Sequence, residues 1–285
     1  MPESLLQSNA SGASPSSSED AALCRSVVKI YWAATGDVHA LKGIDATFPS
    51  NAITAVVGPS GSGKSSLLRL LACIDRPTAG QVTVGGEDVS TLEPRRRRRI
   101  RRRLVGYVFQ RPSDNLVPFL SARQHLQVAG KLRGVRSRSE RDHLLEVLGI
   151  EHRASHRPHQ LSGGEQQRLA FAAAVVGRPA LVVADEPTAE LDSESARALL
   201  TTVRSLRDEG IAFVISTHDP LAVEMADRTL SLRHGAMEAE RTEDRTLAVI
   251  DDSNRIQLPP DAGNLFPDRR AVVELREGGV WIAPP

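Results

Sequence analysis

The segment that most constrains this chain is Gly58-Pro59-Ser60-Gly61-Ser62-Gly63-Lys64-Ser65. It has the spacing G-x-x-x-x-G-K-S. An apolar β-type run, Ile53 to Val57, precedes it, and a stretch of good helix formers, Ser66 to Ile74, follows. Strand, glycine-rich loop and helix form the context in which this spacing binds phosphate. Gly58, Gly61 and Gly63 let successive backbone N–H groups curl around phosphate oxygens, where Cβ atoms would obstruct them. The helix N-terminus, entered through Ser65 and Ser66, adds partial positive charge at the same place. Lys64 can bridge terminal phosphates, and the Ser65 hydroxyl can reach Mg²⁺. A glycine-rich turn that binds nothing would not need the Lys and Ser, nor the flanking strand and helix.

Two further clusters carry chemistry. Leu181 to Asp185 is an apolar strand ending in paired acids, Asp185 and Glu186. The first suits a Mg²⁺ ligand; the second points elsewhere and could polarise an attacking water. Between this pair and the loop lies Leu161-Ser162-Gly163-Gly164-Glu165-Gln166-Gln167-Arg168. Ser162 followed three residues later by Glu165 is a capping box, which starts a helix. The two glycines leave N–H groups free for a phosphate.

This last string resembles the signature of the ATP-binding cassette (ABC) family, and the other marks occur in family order. The resemblance implies an α/β P-loop NTPase with a helical signature subdomain. It makes Gln110, at the end of the run Val105–Phe109, the glutamine that meets Mg²⁺ and the lytic water. Ala189-Glu-Leu-Asp192 resembles the D-loop, and His218 the switch histidine at the γ-phosphate. Tyr31 resembles the aromatic that stacks on adenine, although neighbouring Trp32 could serve instead. In the family, Ser162, Gly163 and Gly164 face ATP held by a second subunit. The resemblance thus implies ATP and Mg²⁺ as cofactors, a dimer of ATP-binding subunits and a transport-coupled ATP hydrolase. It covers about residues 25 to 235 and is similar to the lipoprotein-release and macrolide-export subfamily. Val38–Ile44, Asp75–Gly80, Phe109-Gln110 and Asn115–Pro118 carry that finer likeness. Leu120–His125 and Arg111–Asp114 depart from it, near the surface expected to meet a membrane partner.

Composition fits an ordinary globular protein of 285 residues, with 40% hydrophobic and 25% charged residues. The net charge of +1 argues against wholesale nucleic-acid binding. Cys24 and Cys73 have neither metal-ligand nor disulfide-framework spacing. No apolar run reaches membrane-spanning length, and no secretory signal is read at the start. A separate transmembrane permease is therefore expected, with this chain peripheral at the cytoplasmic face of the plasma membrane. The competing class, a soluble ABC ATPase acting on DNA or ribosomes, would carry a second cassette, a coiled coil or zinc modules, and none is seen; a third class is a regulator that binds DNA through the C-terminal extension.

The expected organisation is a disordered tail (1–24), a nucleotide-binding domain (25–236), a charged linker (237–246) and a small β-rich extension (247–285). Eight arginines occupy nine positions from Arg95 to Arg103, leaving the rest of the chain with 28 basic against 35 acidic residues. No aromatic residues interleave with the run, so it reads as a solvated or anionic-lipid-facing helix rather than a nucleic-acid platform. In the extension, Ala271–Ala283 alternates and turns at Gly278-Gly279, a hairpin pattern. Together with Asn254-Arg-Ile-Gln-Leu-Pro259 it resembles the AbrB-like swapped hairpin. A β-extension folded on the main domain is the equal alternative.

Overall fold

Alternation of apolar and polar residues places two long strands at the start, β1 (Asp20–Tyr31) and β2 (Val38–Pro49). In this computed structural model the described residues are 20–32, 36–135, 137–242, 246–248, 266, 270–276 and 279–283. The first strand begins at Asp20, five residues before the expected boundary. Ala21, Ala22 and Cys24 are buried in the core there, and the apolar area they remove from water is what ties these residues to the domain.

With β4 (Ala79–Val84) and β5 (Glu87–Asp88), these strands form an antiparallel sheet in the order β2-β1-β4-β5. The second sheet is larger. Its parallel strands are β3 (Ile53–Val57), β6 (Val105–Val108), β7 (Leu181–Asp185), β8 (Ala212–Ser216) and β9 (Arg228–Arg233). Two antiparallel strands continue it, β10 (Ala236–Thr242) and β11 (Thr246–Ala248), giving the order β11-β10-β9-β3-β8-β7-β6. Strands covered on both faces read as near-continuous apolar runs, as β3, β7 and β8 do.

Helix α1 (Lys64–Leu71) lies between the two sheets. Leu67, Leu68, Leu70 and Leu71 are therefore all buried, each contributing about 2 kcal/mol of transfer free energy. On the opposite face of the large sheet a second core gathers α3 (Ala122–Arg133), α4 (Arg138–Val147), α5 (Gly163–Val175) and α6 (Ser193–Asp208). The arginine run forms α2 (Pro94–Leu104), and α7 (Pro220–Glu224) is short. Cys24 and Cys73 are free buried thiols, both pushed up to about 12, chiefly by desolvation.

The expected linker is a correction. Residues 236–242 pair with β9 and then with β11, and their charges are cross-strand partners rather than solvent-facing spacers. Arg228 meets Glu240 at 2.7 Å and Arg233 meets Glu238 at 3.5 Å. The C-terminal hairpin, β12 (Val272–Arg276) with β13 (Gly279–Ala283), forms its own antiparallel pair with Arg276 opposite Gly279. The Asn254–Pro259 segment of the AbrB-like reading lies outside the described residues, as does most of the expected tail. Among the described residues no helix is long and apolar enough to cross a membrane.

Candidate nucleotide-binding and hydrolysis site

The parallel strands all end on one side, and the connections leaving them build a single cleft. Its lining comprises Tyr31, the loop Gly58 to Ser66, Gln110, Asp185, Glu186 and His218. Val38, His39 and Ala40 of β2 also line it. In the sequence these three belong to the Val38–Ile44 segment that carries the finer likeness, and nothing there marked them as part of the site.

The loop geometry explains its glycines. At Gly58 (φ +148°) an added Cβ would collide with the Leu232 carbonyl oxygen, because β9 runs directly behind the loop. At Gly63 (φ +106°) it would meet the Ala40 carbonyl oxygen at 2.5 Å. Gly61 (φ +76°) faces open space within the cleft. Lys64 folds back, its ammonium donating to the carbonyls of Gly58 (2.7 Å) and Pro59 (3.2 Å). The Ser62 hydroxyl is buried without a hydrogen-bond partner among the described residues. A buried orphan polar atom costs free energy unless a partner supplies the bond, and it sits in a loop shaped to curl around oxygens.

Opposite the loop, the Ser216 hydroxyl donates to Asp185 Oδ1, leaving Oδ2 uncommitted among the described residues. Glu186 adopts a left-handed backbone conformation (φ +46°), the kind of local strain that concentrates at working sites. Its N–H donates to the Ser216 carbonyl at 3.0 Å. Its carboxylate accepts from the His218 backbone N–H at 3.3 Å and lies 2.8 Å from His218 Nδ1. Ser216 thus orients both acids, a function the sequence concealed within an apolar strand. Gln110 is carried by a loop that Asn115 clasps: Phe109 N–H donates to Asn115 Oδ1 (3.0 Å), and Asn115 Nδ2 donates to the Phe109 and Arg111 carbonyls. Tyr31 donates its hydroxyl to Asp75 (3.1 Å), and the Lys29 ammonium lies 4.8 Å from its ring centroid. Trp32 is 71% exposed.

Ser162, Gly163, Gly164 and Asp192 do not line this cleft; they meet at the N-termini of α5 and α6. The capping box forms as expected, with Glu165 N–H to Ser162 Oγ at 3.2 Å and Ser162 N–H to Glu165 Oε2 at 2.8 Å. Asp192 caps α6 by accepting from Glu194 and Ser195 N–H groups. A Cβ on Gly164 would lie 3.1 Å from Ser195 Oγ, so the two helix starts abut. Gly163 has open space before it. Arg153, which sequence reasoning passed over, donates to Glu165 Oε1 at 2.9 Å. Glu165 is consequently held below the usual carboxylate range by hydrogen bonds from Ser162 and by Arg153, despite burial that opposes this.

Residues 41–189 match the ABC transporter family. The chain belongs to it. The cassette is 40% identical over 222 residues to a lipoprotein-releasing system ATP-binding protein, LolD 2, of Caulobacter vibrioides, covering 76% of this chain and 96% of that one. It is 38% identical to the macrolide export ATP-binding/permease protein MacB of Marinobacter nauticus, over 76% of this chain but only 34% of MacB. Among solved structures, the ATP-binding cassette MJ0796, a dimer in a post-hydrolysis state with ADP and phosphate, superposes with a TM-score of 0.71 at 31% identity. That alignment covers 78% of this chain and 98% of MJ0796. The cassette is an ATP-binding, ATP-hydrolysing subunit of an ABC transporter.

Proposed function

We propose that two copies of this cassette close head to tail over two ATP molecules and drive a separate membrane permease. The observation that carries this reading is the division of the site. Within one chain, the phosphate loop, Gln110, Asp185, Glu186 and His218 share a cleft, while Ser162 to Gly164 and Asp192 present their helix ends away from it. A second copy supplies the missing half. The likeness to LolD 2, which spans 96% of that protein and whose name is that of an ATP-binding protein, supports a permease on another chain.

In each composite site the backbone N–H groups from Gly58 to Ser66 hold the triphosphate, and Lys64 swings from the loop carbonyls to the terminal phosphates. Tyr31 offers the adenine the ring face that Lys29 leaves free. Ser65, Gln110 and Asp185 would hold Mg²⁺, with the uncommitted Asp185 Oδ2 suited to it. Bound there, the ion neutralises charge developing on the phosphates. Glu186 takes a proton from the attacking water, and His218 holds the Glu186 carboxylate in place and contacts the γ-phosphate. The signature helix N-terminus of the partner copy contributes partial positive charge to the same phosphate. Positioning and charge neutralisation supply most of the acceleration. The working location is the cytoplasmic face of the membrane, beside the permease.

Glu186→Gln tests the assignment. Steady-state hydrolysis should fall at least a hundredfold, as expected for loss of a general base, while ATP binding persists and ATP holds a dimer that sediments faster than the nucleotide-free protein. Near-normal turnover would remove Glu186 from the role.

A further inference from the structure

We propose that the groove between the C-terminal halves of α2 and α3 is a binding site for the phosphate of an anionic phospholipid headgroup. The groove has a volume of about 420 Å³ and is lined by Arg99, Arg102, Arg103, Lys131, Leu132 and Arg133. Helix α2 sorts its arginines into two sets. Ile100 is buried and Arg97, Arg101 and Leu104 are half-buried, forming the face that packs on the core. The others are exposed. Arg96 and Arg103 share one carboxylate, Glu87, at 3.7 and 3.5 Å. Arg99, Arg102 and Lys131 have no ion pair among the described residues.

The floor adds to the imbalance. Arg133 is half-buried and donates to four backbone carbonyls, those of Arg102, Val105, Ala174 and Val176, with no carboxylate among them. Burial pulls its guanidinium down to about 10, so it is still charged at neutral pH. Solvent-facing cations without carboxylate partners, gathered around one groove, attract a compact anion, and arginine forks match phosphate oxygens.

Two observations favour lipid. Leu132, in the groove, is 57% exposed, and Val128, one turn earlier on α3, is 42% exposed. Apolar side chains beside the cations suit a headgroup–acyl boundary and offer a nucleic acid nothing to stack on. The site is also distinct from the nucleotide cleft. Arg133 is tied to Val105, where β6 begins, whereas Gln110 follows the other end of that strand. The inference rests on the cassette working beside a membrane, but its test does not depend on ATP hydrolysis.

The test is co-sedimentation of the full-length, nucleotide-free protein with vesicles of phosphatidylcholine alone and with added phosphatidylglycerol. Binding should require the anionic lipid and weaken with salt. A basic residue near an anionic surface contributes roughly fivefold in affinity. The triple variant Arg99→Gln/Arg102→Gln/Lys131→Gln should therefore bind on the order of a hundredfold more weakly. Its ATP affinity should stay unchanged, which shows the fold intact. The charge-matched control Arg95→Gln/Arg96→Gln/Arg98→Gln, removing as many charges outside the groove, should lose clearly less than the triple variant. Equal loss from both variants, equal binding to neutral vesicles, or undiminished binding by the triple variant would overturn the proposal. So would glycerol phosphate binding the groove as tightly as the vesicles do, which points to a free phosphate, or duplex DNA binding that the triple variant alone loses. Near-normal turnover in the Glu186 experiment would leave every arm of this test readable.

Discussion

At the scale of single residues, the phosphate loop was legible because each of its features follows from chemistry that only certain residues permit. Gly58 and Gly61 look alike in the string, yet the structure gives them different constraints. Gly58 is held by the Leu232 carbonyl behind it, whereas Gly61 is constrained only by its positive φ. Gly61→Ala should therefore cost about 1–2 kcal/mol of conformational strain and leave the protein folded. Gly58→Ala must displace either the loop or β9, so it should lower the melting temperature further and weaken ATP binding at least tenfold, an estimate for a displaced phosphate cradle. Thermal unfolding with and without ATP measures both; equal effects of the two substitutions would contradict the geometry. Ser216 shows the opposite case. Nothing in Ala-Phe-Val-Ile-Ser marks its last residue as the group that orients both Asp185 and Glu186, because that role depends on which strand lies beside β7.

At the scale of elements, helix and strand existence followed from periodicity, and the errors followed from reading charge as solvent exposure. Glu238, Glu240 and Arg241 suggested a linker, but a strand on the sheet margin can hold charges by pairing them across the ladder, as Glu240 does with Arg228. The signature helix carries the same lesson. Its capping box was readable within four residues, whereas its anchor, Arg153, lies in a preceding 3-10 turn and approaches only through folding. Arg153 acts through Glu165, which fixes Ser162 and so aims the helix N-terminus. A hydrogen bond to a charged group contributes about 1.5–3 kcal/mol, so Arg153→Ala should lower kcat roughly tenfold with little change in KM for ATP. Arg153→Lys, which keeps the ion pair, should recover most of the rate. A fall in melting temperature with kcat intact would make the residue purely structural.

At the scale of the whole molecule, the sequence foretold the layered core and the single cassette, but not the part played by the last forty residues. The two strands of the C-terminal hairpin are five residues each, too short for a hairpin to persist alone in water. Val273 and Val280 are more than half exposed on it, and Trp281 shares its outer side with Arg276, whose guanidinium lies 5.0 Å from the ring centroid. Such apolar surface on a marginal element needs a cover. If two tails cover each other, the cassettes stay tethered without ATP, and closure becomes an intramolecular step at raised effective concentration. Among the described residues the large sheet ends at β11, so removing residues 249–285 should leave the core folded and its ATP affinity unchanged. Light scattering of the nucleotide-free proteins then separates the two readings of the extension. A dimer at full length that becomes a monomer on truncation supports pairing of tails. A full-length monomer refutes it, and a melting temperature lowered by truncation would assign the hairpin to its own cassette.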